Sequence, residues 1–358
     1  MNTLLLLPAL FATDGGIERI LRLYVKAVGE LTPPGGRIDI VILNDTTTTR
    51  RQIIPFASPA LMSAPIVCGR NRLACAWHVL RLARRADRVI CGHVNLLRLA
   101  RLAQCFSRRL EVWLVAHGIE VWRAFTPGEQ RALRAATGIL CVSEYTRRQL
   151  THHCPGLNPA RLHVQPNALD PKFENDGAHV DTATPGAILT VSRLSQSDAY
   201  KGIDDLIRAM PAIRQSVPEA HLKIVGDGDD RTRLETLARQ VAPADAVEFS
   251  GRIDDAALGE AFSTCQLFAL PSRSEGFGLV YLEAMAHGKP CVAVAAGAAP
   301  EVVDGRSGLI AEPSDVADLA ATCIAALNRP WDPLAIRARA RDFSYPQFKT
   351  RLSHALAA

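Results

Sequence analysis

Short apolar runs alternate with segments of helical periodicity along nearly the whole chain, and that alternation is the mark of a parallel sheet with crossover helices. Strands of such a sheet are buried on both faces, so they read as near-continuous apolar runs. In the first half the runs are "TLLLLPAL", "RIDIVIL", "RVICG", "LEVWLVAH", "GILCVS" and "RLHVQPN", each followed by a turn and by helix-like material such as "GIERILRLYVKAV" or "YTRRQLTHH". Around 168–187 the pattern gives way to "ALDPKFENDGAHVDTATPG", polar and rich in Pro, Gly and Asp, which predicts a linker. The second half repeats the scheme with "AILTVSR", "HLKIVGDG", "VEFSGR", "CQLFALPS", "PCVAVA" and "GLIAE", separated by helical segments such as "IDDLIRAMPAIRQS" and "GLVYLEAMAHG". Two doubly wound α/β domains are predicted, one over 1–169 and one over 170–339, facing each other across a cleft at the carboxyl ends of both sheets. The closing segment "PLAIRARARDFSYPQFKTRLSHALAA" is expected to form a further helix pair, its part near 340–358 packing back on the first domain.

At 358 residues the chain exceeds the usual size of one hydrophobic core, in keeping with two domains. The start, "MNTLLLLPALF", has a short apolar run with no basic residue before it, and is read as a buried first strand rather than a leader. No run reaches the roughly 18 apolar residues that span a bilayer. Nine cysteines are scattered without a Cys-x-x-Cys pair, mostly in apolar stretches, so reduced core thiols in a cytoplasmic protein are expected and a zinc site is not.

Charge is divided unevenly. Residues 1–170 hold 22 Lys plus Arg against 11 Asp plus Glu, and the remainder hold 19 against 25. Such an excess is often only a solvated surface; its functional reading is contact with an anionic membrane face or a phosphorylated acceptor. Nucleic acid is not expected, because no binding motif or aromatic-basic interleaving accompanies the charge.

The densest chemistry lies in "PSRSEGFGLVYLEAMAHGKP", residues 271–290. If "CQLFALPS" is a strand and "GLVYLEAMAHG" a helix, the backbone amides of Gly276, Phe277, Gly278 and Leu279 converge at a helix start, an anion site by geometry and dipole. Gly276 and Gly278 let the main chain approach a ligand closely. Glu275 and Glu283 bracket that site, and carboxylates accept hydrogen bonds from sugar hydroxyls. Upstream, "VSRLSQSDAYKGIDDLIRAM" places Arg193 at a strand end and Lys201 before a helix start, two cations at the same sheet edge whose natural partner is a diphosphate. In the first half, Gly15 and Gly16 form another strand-to-helix turn, a weak signal by itself.

Taken together, "SEGFGLVYLEAMAHGKP", "VSRL", "YKG", "IVGDGDD", "FSGRI" and the N-terminal "DGGIER" resemble glycosyltransferase family 4. The resemblance covers essentially the whole chain and implies the GT-B fold, a retaining hexosyltransferase, and a UDP- or GDP-sugar donor. It implies that Arg193 and Lys201 hold the diphosphate, that Glu275 contacts the donor sugar with the amides from Phe277 to Leu279, and that Glu283 binds the ribose. By the same resemblance Gly226, Arg252 and Ile253 lie near the base, Gly16 approaches the diphosphate from the other domain, and His117 in "VAHGIEVW" contacts the donor sugar. By itself His117 reads first as a packed or capping histidine rather than a ligand. The spacer "LSQSDAY" is longer than the short one common in the family, which places an inserted loop beside the donor.

No cofactor or metal is expected: "GDGDD" lacks the spacing of a calcium loop, and two cations with a helix dipole neutralise the phosphates. The acceptor is expected to be a lipid-linked or oligosaccharide intermediate in surface polysaccharide or lipopolysaccharide assembly, reached from the cytoplasmic side of a membrane. Two other readings share the fold. A non-catalytic nucleotide-sugar-binding subunit would have no chemical need of the cations and paired carboxylates, and an NAD-dependent dehydrogenase would need a Gly-x-Gly-x-x-Gly turn after the first strand, which is absent from the sequence.

Overall fold

The computed structural model describes residues 1–12, 15–56, 61–105, 107, 109–173 and 183–357. It divides the chain into two compact units: Met1–Asp170 with Tyr345–Ala358, and Pro171–Ser344.

The first unit is built on a seven-stranded parallel sheet: β1 (Asn2–Leu7), β2 (Arg37–Ile42), β3 (Ile66–Val67), β4 (Arg88–Cys91), β5 (Glu111–Ala116), β6 (Gly138–Cys141) and β7 (Leu162–Val164). Their order in space is β3-β2-β1-β4-β5-β6-β7, so the winding reverses between β1 and β4. Leu5 of β1 sits between Ile40 and Ile90 in register, and Leu4 to Leu7 are fully buried, which is why this central strand shows no polar alternation. The two-residue strand β3, pairing Ile66 with Val41, has no counterpart among the runs read from sequence.

The second unit carries a six-stranded parallel sheet: β8 (Ala187–Val191), β9 (His221–Val225), β10 (Val247–Gly251), β11 (Leu267–Ala269), β12 (Cys291–Val294) and β13 (Gly308–Ala311). The order β10-β9-β8-β11-β12-β13 reverses between β8 and β11. Open parallel sheets bind ligands in the crevice at such a reversal, so each unit has one predetermined ligand position.

The expected linker over 168–187 is narrower than its composition suggests. Ala168 and Leu169 are buried, Pro171–Phe173 form a 3-10 turn and β8 begins at Ala187; residues 174–182 lie outside the described residues. The closing segment forms two helices. Pro333–Arg341 packs on the helix Leu279–Ala286 in the second unit. Tyr345–Ala357 belongs to the first unit, where Phe348 meets Tyr24 edge to face at 4.9 Å, Gln165 Nε2 donates to the Phe348 carbonyl and Arg88 donates to that of Leu356. All nine cysteines are free thiols, and every one except Cys105 is buried.

The helix Pro127–Ala135 opens with a capping box in which Thr126 and Glu129 exchange hydrogen bonds, and Arg123 adds an ion pair to Glu129 at 2.7 Å. The Arg123 hydrogen bond, followed after an opposing burial contribution by the Thr126 amide and hydroxyl, holds the Glu129 carboxyl down at about 2. A depressed carboxylate contributes stability that is complete above its ordinary value of 4.5 and disappears as pH falls through about 2. Glu129→Gln is therefore expected to flatten the acid limb of a urea-midpoint-against-pH curve in that window. At neutral pH it should cost about 1–2 kcal/mol, allowing for screening of the half-exposed Arg123. An unchanged acid limb would show that the box does not set it.

Candidate functional site

The position predetermined by the second sheet is lined by the loops after β8 and β11. The loop after β8 is held to the turn after β9 by main-chain bonds: Ser192 N–H to Val225 O, Leu194 N–H to Asp227 O and Asp230 N–H to Leu194 O, all at 2.9–3.1 Å. Gly226 makes this possible. Its φ is +134°, and a Cβ there would lie 1.8 Å from the Ser192 carbonyl oxygen. Its N–H donates to Gly251 O at the end of β10, which brings Gly226 beside the segment where exposed Arg252 and half-buried Ile253 follow.

Arg193 projects from this loop with a side chain 68 % exposed, while its Nε pairs with Asp198. Asp198 is buried in the 3-10 turn Gln196–Lys201, so the spacer that looked like a plain insertion supplies the carboxylate that fixes the arginine. The Asp198 hydrogen bond raises the Arg193 guanidinium above its usual range. It stays cationic at any physiological pH.

Lys201 closes the same turn, and Gly202 behind it adopts the left-handed conformation that starts the helix Ile203–Ser216. The Lys201 ammonium meets Glu275 Oε2 at 2.6 Å, joining residues 74 positions apart in the loops that follow two adjacent strands. Burial pulls the lysine down, but the Glu275 charge and hydrogen bond, with Tyr200 and Asp198, outweigh it and leave the ammonium raised. Arg273 ties the two loops together, its N–H donating to Tyr200 O and its guanidinium pairing with Asp205 at 2.9 Å.

Past Glu275 the chain turns through Gly276, Phe277 and Gly278 into the helix Leu279–Ala286. Gly278 has φ +89° and caps the helix, and Phe277 is buried edge to face on Phe343, so it offers only its main chain to a ligand. The backbone of Glu275 is fixed from behind, because Ala298 N–H donates to its carbonyl and Gly297 packs so closely that a Cβ would fall 2.5 Å from that oxygen. Glu283 is buried inside the helix rather than on a surface, and the following turn is closed by His287, whose Nδ1 contacts the Glu283 carbonyl at 2.8 Å.

In the first unit, Gly15 caps and Gly16 begins the helix Gly16–Leu31, after the loop that follows β1. Gly15 is extended, with φ −85° and ψ 169°, so backbone conformation does not demand glycine there. Buried Asp45 organises the start of this loop by accepting the N–H groups of Leu10, Phe11 and Ala12 and the Thr48 hydroxyl. His117, after β5, is buried. Its Nε2 meets Gly92 O at 2.9 Å, and since a carbonyl only accepts, that nitrogen donates. His93, after β4 and so at the reversal of the first sheet, caps the helix Val94–Gln104 through Nδ1. Burial chiefly lowers its pKa, and Glu120 opposes that.

The second unit thus gathers two cations, a carboxylate and a glycine-turned helix start at one sheet reversal, a set suited to a diphosphate joined to a hydroxylated group. Sequence reasoning named Arg193, Lys201 and Glu275 without seeing that Lys201 and Glu275 touch. It did not find Asp198, Asp45 or His93; the strand-end position in "VICGHVN" is the one signal that pointed to His93.

Residues 15–173 match the family model Glycosyltransferase Family 4, and residues 185–329 match Glycosyl transferases group 1. A GDP-mannose-dependent monoacylated alpha-(1-6)-phosphatidylinositol monomannoside mannosyltransferase of Corynebacterium glutamicum is 33 % identical over 246 residues, 63 % of each chain. A GDP-mannose-dependent alpha-(1-6)-phosphatidylinositol monomannoside mannosyltransferase of Mycolicibacterium smegmatis is 35 % identical over 222 residues, 56 % of each chain. The match thus spans less than two thirds of either relative. The Mycobacterium tuberculosis protein of the latter name is 31 % identical over 297 residues, 77 % of this chain and 74 % of that one. Among solved structures, the apo lipopolysaccharide outer core galactosyltransferase WaaB superposes with a TM-score of 0.77 at 17 % identity, covering 100 % and 99 % of the two chains. Anabaena Alr3699/HepE in complex with UDP gives 0.77 at 22 %, covering all of both. At such identities the likeness is one of fold.

Proposed function

Because the chain belongs to glycosyltransferase family 4 and has the GT-B fold, we propose that it moves a sugar from a nucleoside diphosphate to a glycan or lipid-linked acceptor with retention at the anomeric carbon. The observation that carries this reading is the Lys201–Glu275 pair, at 2.6 Å, beside the Gly276–Gly278 turn and the exposed Arg193 guanidinium. The cations and the helix amides receive the diphosphate, and Glu275 accepts hydrogen bonds from the sugar. The bond from the anomeric carbon to the diphosphate oxygen breaks as an acceptor hydroxyl oxygen bonds to the same face of that carbon, and the departing phosphate takes the hydroxyl proton. Charge neutralisation comes from Arg193, Lys201 and the amides, and none is assigned to a metal. Glu283 is the group proposed for the ribose.

Relatives named for GDP-mannose and phosphatidylinositol mannosides support a guanine donor and a lipid-borne acceptor as the first to try. A thermal-shift panel of GDP, UDP, ADP and dTDP tests the donor site. Saturation at about a hundred times the dissociation constant adds roughly 2.7 kcal/mol of stability. A rise with one base that is lost in Arg193→Ala supports the reading; silence across the panel overturns the diphosphate site.

A further inference from the structure

The helix Arg72–Ala83 buries one side and exposes the other. Cys75, Val79, Leu82 and Ala83 pack into the core of the first unit, and the helix also contacts Val94–Gln104. On the opposite side Leu73 is 84 % exposed and Trp77 is 59 % exposed, the two most exposed large apolar side chains among the described residues of the first unit. They stand four residues apart and therefore share a face. The Arg81 guanidinium lies over the Trp77 ring at 5.0 Å.

The charge around this face has a single sign. From Arg70 to Ala86 there are five arginines and no aspartate or glutamate. Arg85 is turned aside into an ion pair with Asp39 at 3.0 Å, whereas Arg70, Arg72, Arg81 and Arg84 are exposed. Two of these precede Leu73 and two follow Trp77, so apolar residues in the middle are flanked by cations at both ends. That order suits a helix lying flat at a bilayer surface, with tryptophan and leucine entering the acyl boundary and arginines at headgroup level. At 12 residues the helix is too short to cross. A protein partner would also be met by a tryptophan beside arginines; the bilayer is favoured because the cations stand at both ends of the apolar pair along one helix, the order of an interfacial helix.

We infer that the exposed face of Arg72–Ala83 is a docking surface for an anionic lipid bilayer. Docking is independent of the donor chemistry, and its test reads binding alone. The full chain is sedimented with phosphatidylcholine vesicles with and without phosphatidylglycerol, at low and high salt. Binding is expected only with the anionic lipid and is expected to weaken with salt, each exposed arginine contributing about fivefold. Leu73→Ser with Trp77→Ser should lower partitioning at least about tenfold, as should Arg81→Gln with Arg84→Gln, and circular dichroism should be unchanged because all four side chains are exposed. Vesicles should also shift the tryptophan emission to the blue in the native chain and much less in Trp77→Phe. Equal binding to neutral vesicles, or undiminished binding by both double variants, would overturn the inference. So would a concentration-dependent dimer abolished by Leu73→Ser with Trp77→Ser in a chain that ignores vesicles, since a second copy would then be the occupant.

Discussion

Replacing Lys201 by alanine is expected to lower the rate of sugar transfer by about a hundredfold or more, with a smaller effect on folding. Charge develops on the leaving diphosphate as the anomeric bond breaks, so a fixed cation there acts most strongly on the transition state; losing one such group commonly costs two to three orders of magnitude. Lys201 is held for this purpose from both sides, by Glu275 at 2.6 Å and by the 3-10 turn ending at left-handed Gly202. The substitution leaves Glu275, whose side chain is 14 % exposed, without its cation, and about 1–3 kcal/mol of stability should go with it. Lys201→Arg restores the charge and should recover part of the rate. The raised ammonium gives the sign of the pH effect: its contribution to stability is complete below the ordinary lysine value of 10.5 and is lost only as pH rises through the higher folded value. Between pH 6 and 9, then, the Lys201→Ala deficit should be constant. A variant that keeps its rate within about threefold in a radiolabelled-donor assay would refute an electrostatic role for this lysine.

Much of the frame was legible in the sequence because both sheets are parallel and covered. Burial on both faces makes "TLLLL" and "CVAV" continuous apolar runs and leaves "RIDIVI" broken only by Asp39, and each became a strand at or within a few residues of the expected limits. β3 was not legible, since two residues carry no periodicity. The cations and carboxylates were legible as types at loop positions, because Gly202 and Gly278 mark where helices begin. Their pairing was not. Lys201 and Glu275 meet only because β8 and β11 are neighbours in space, a consequence of strand order that no local pattern encodes.

The inserted spacer "LSQSDAY" shows the same limit at short range. As sequence it is a polar loop, yet its 3-10 turn returns Asp198 to Arg193. The arginine excess of the first half likewise resolves only in three dimensions. Arg88 is buried against Glu111, Arg123 holds the capping box, Arg147 pairs with Glu144 and Arg85 with Asp39, whereas those around Arg72–Ala83 face outward.

Gly226→Ala should produce the largest loss of stability among single-methyl changes at the proposed donor site. A Cβ at Gly226 would stand 1.8 Å from the Ser192 carbonyl oxygen, and the residue's φ of +134° is one that L side chains rarely adopt. The obstacle is main chain and cannot rotate away. Ser192 is pinned by its N–H bond to Val225 O at 3.0 Å, and Gly226 by its own to Gly251 O at 2.8 Å, so relief requires breaking the contact between the loops after β8 and β9. Steric strain and lost hydrogen bonds together should cost about 3 kcal/mol or more, lowering the melting point of a unit of this size by about 6–12 °C. Gly259 provides the control. It lies in the helix Asp255–Thr264, where an added methyl would meet nothing within 4 Å, so Gly259→Ala should stabilise the same unit by roughly 0.5–1 kcal/mol. Because Arg193 directly follows the obstructed carbonyl, the Gly226 variant should also lose any nucleotide-induced rise in melting temperature. If calorimetry finds the two alanine variants equally stable, glycine at 226 is not required for close approach. If Gly226→Ala melts early yet still responds fully to nucleotide, the loop after β8 does not hold the diphosphate.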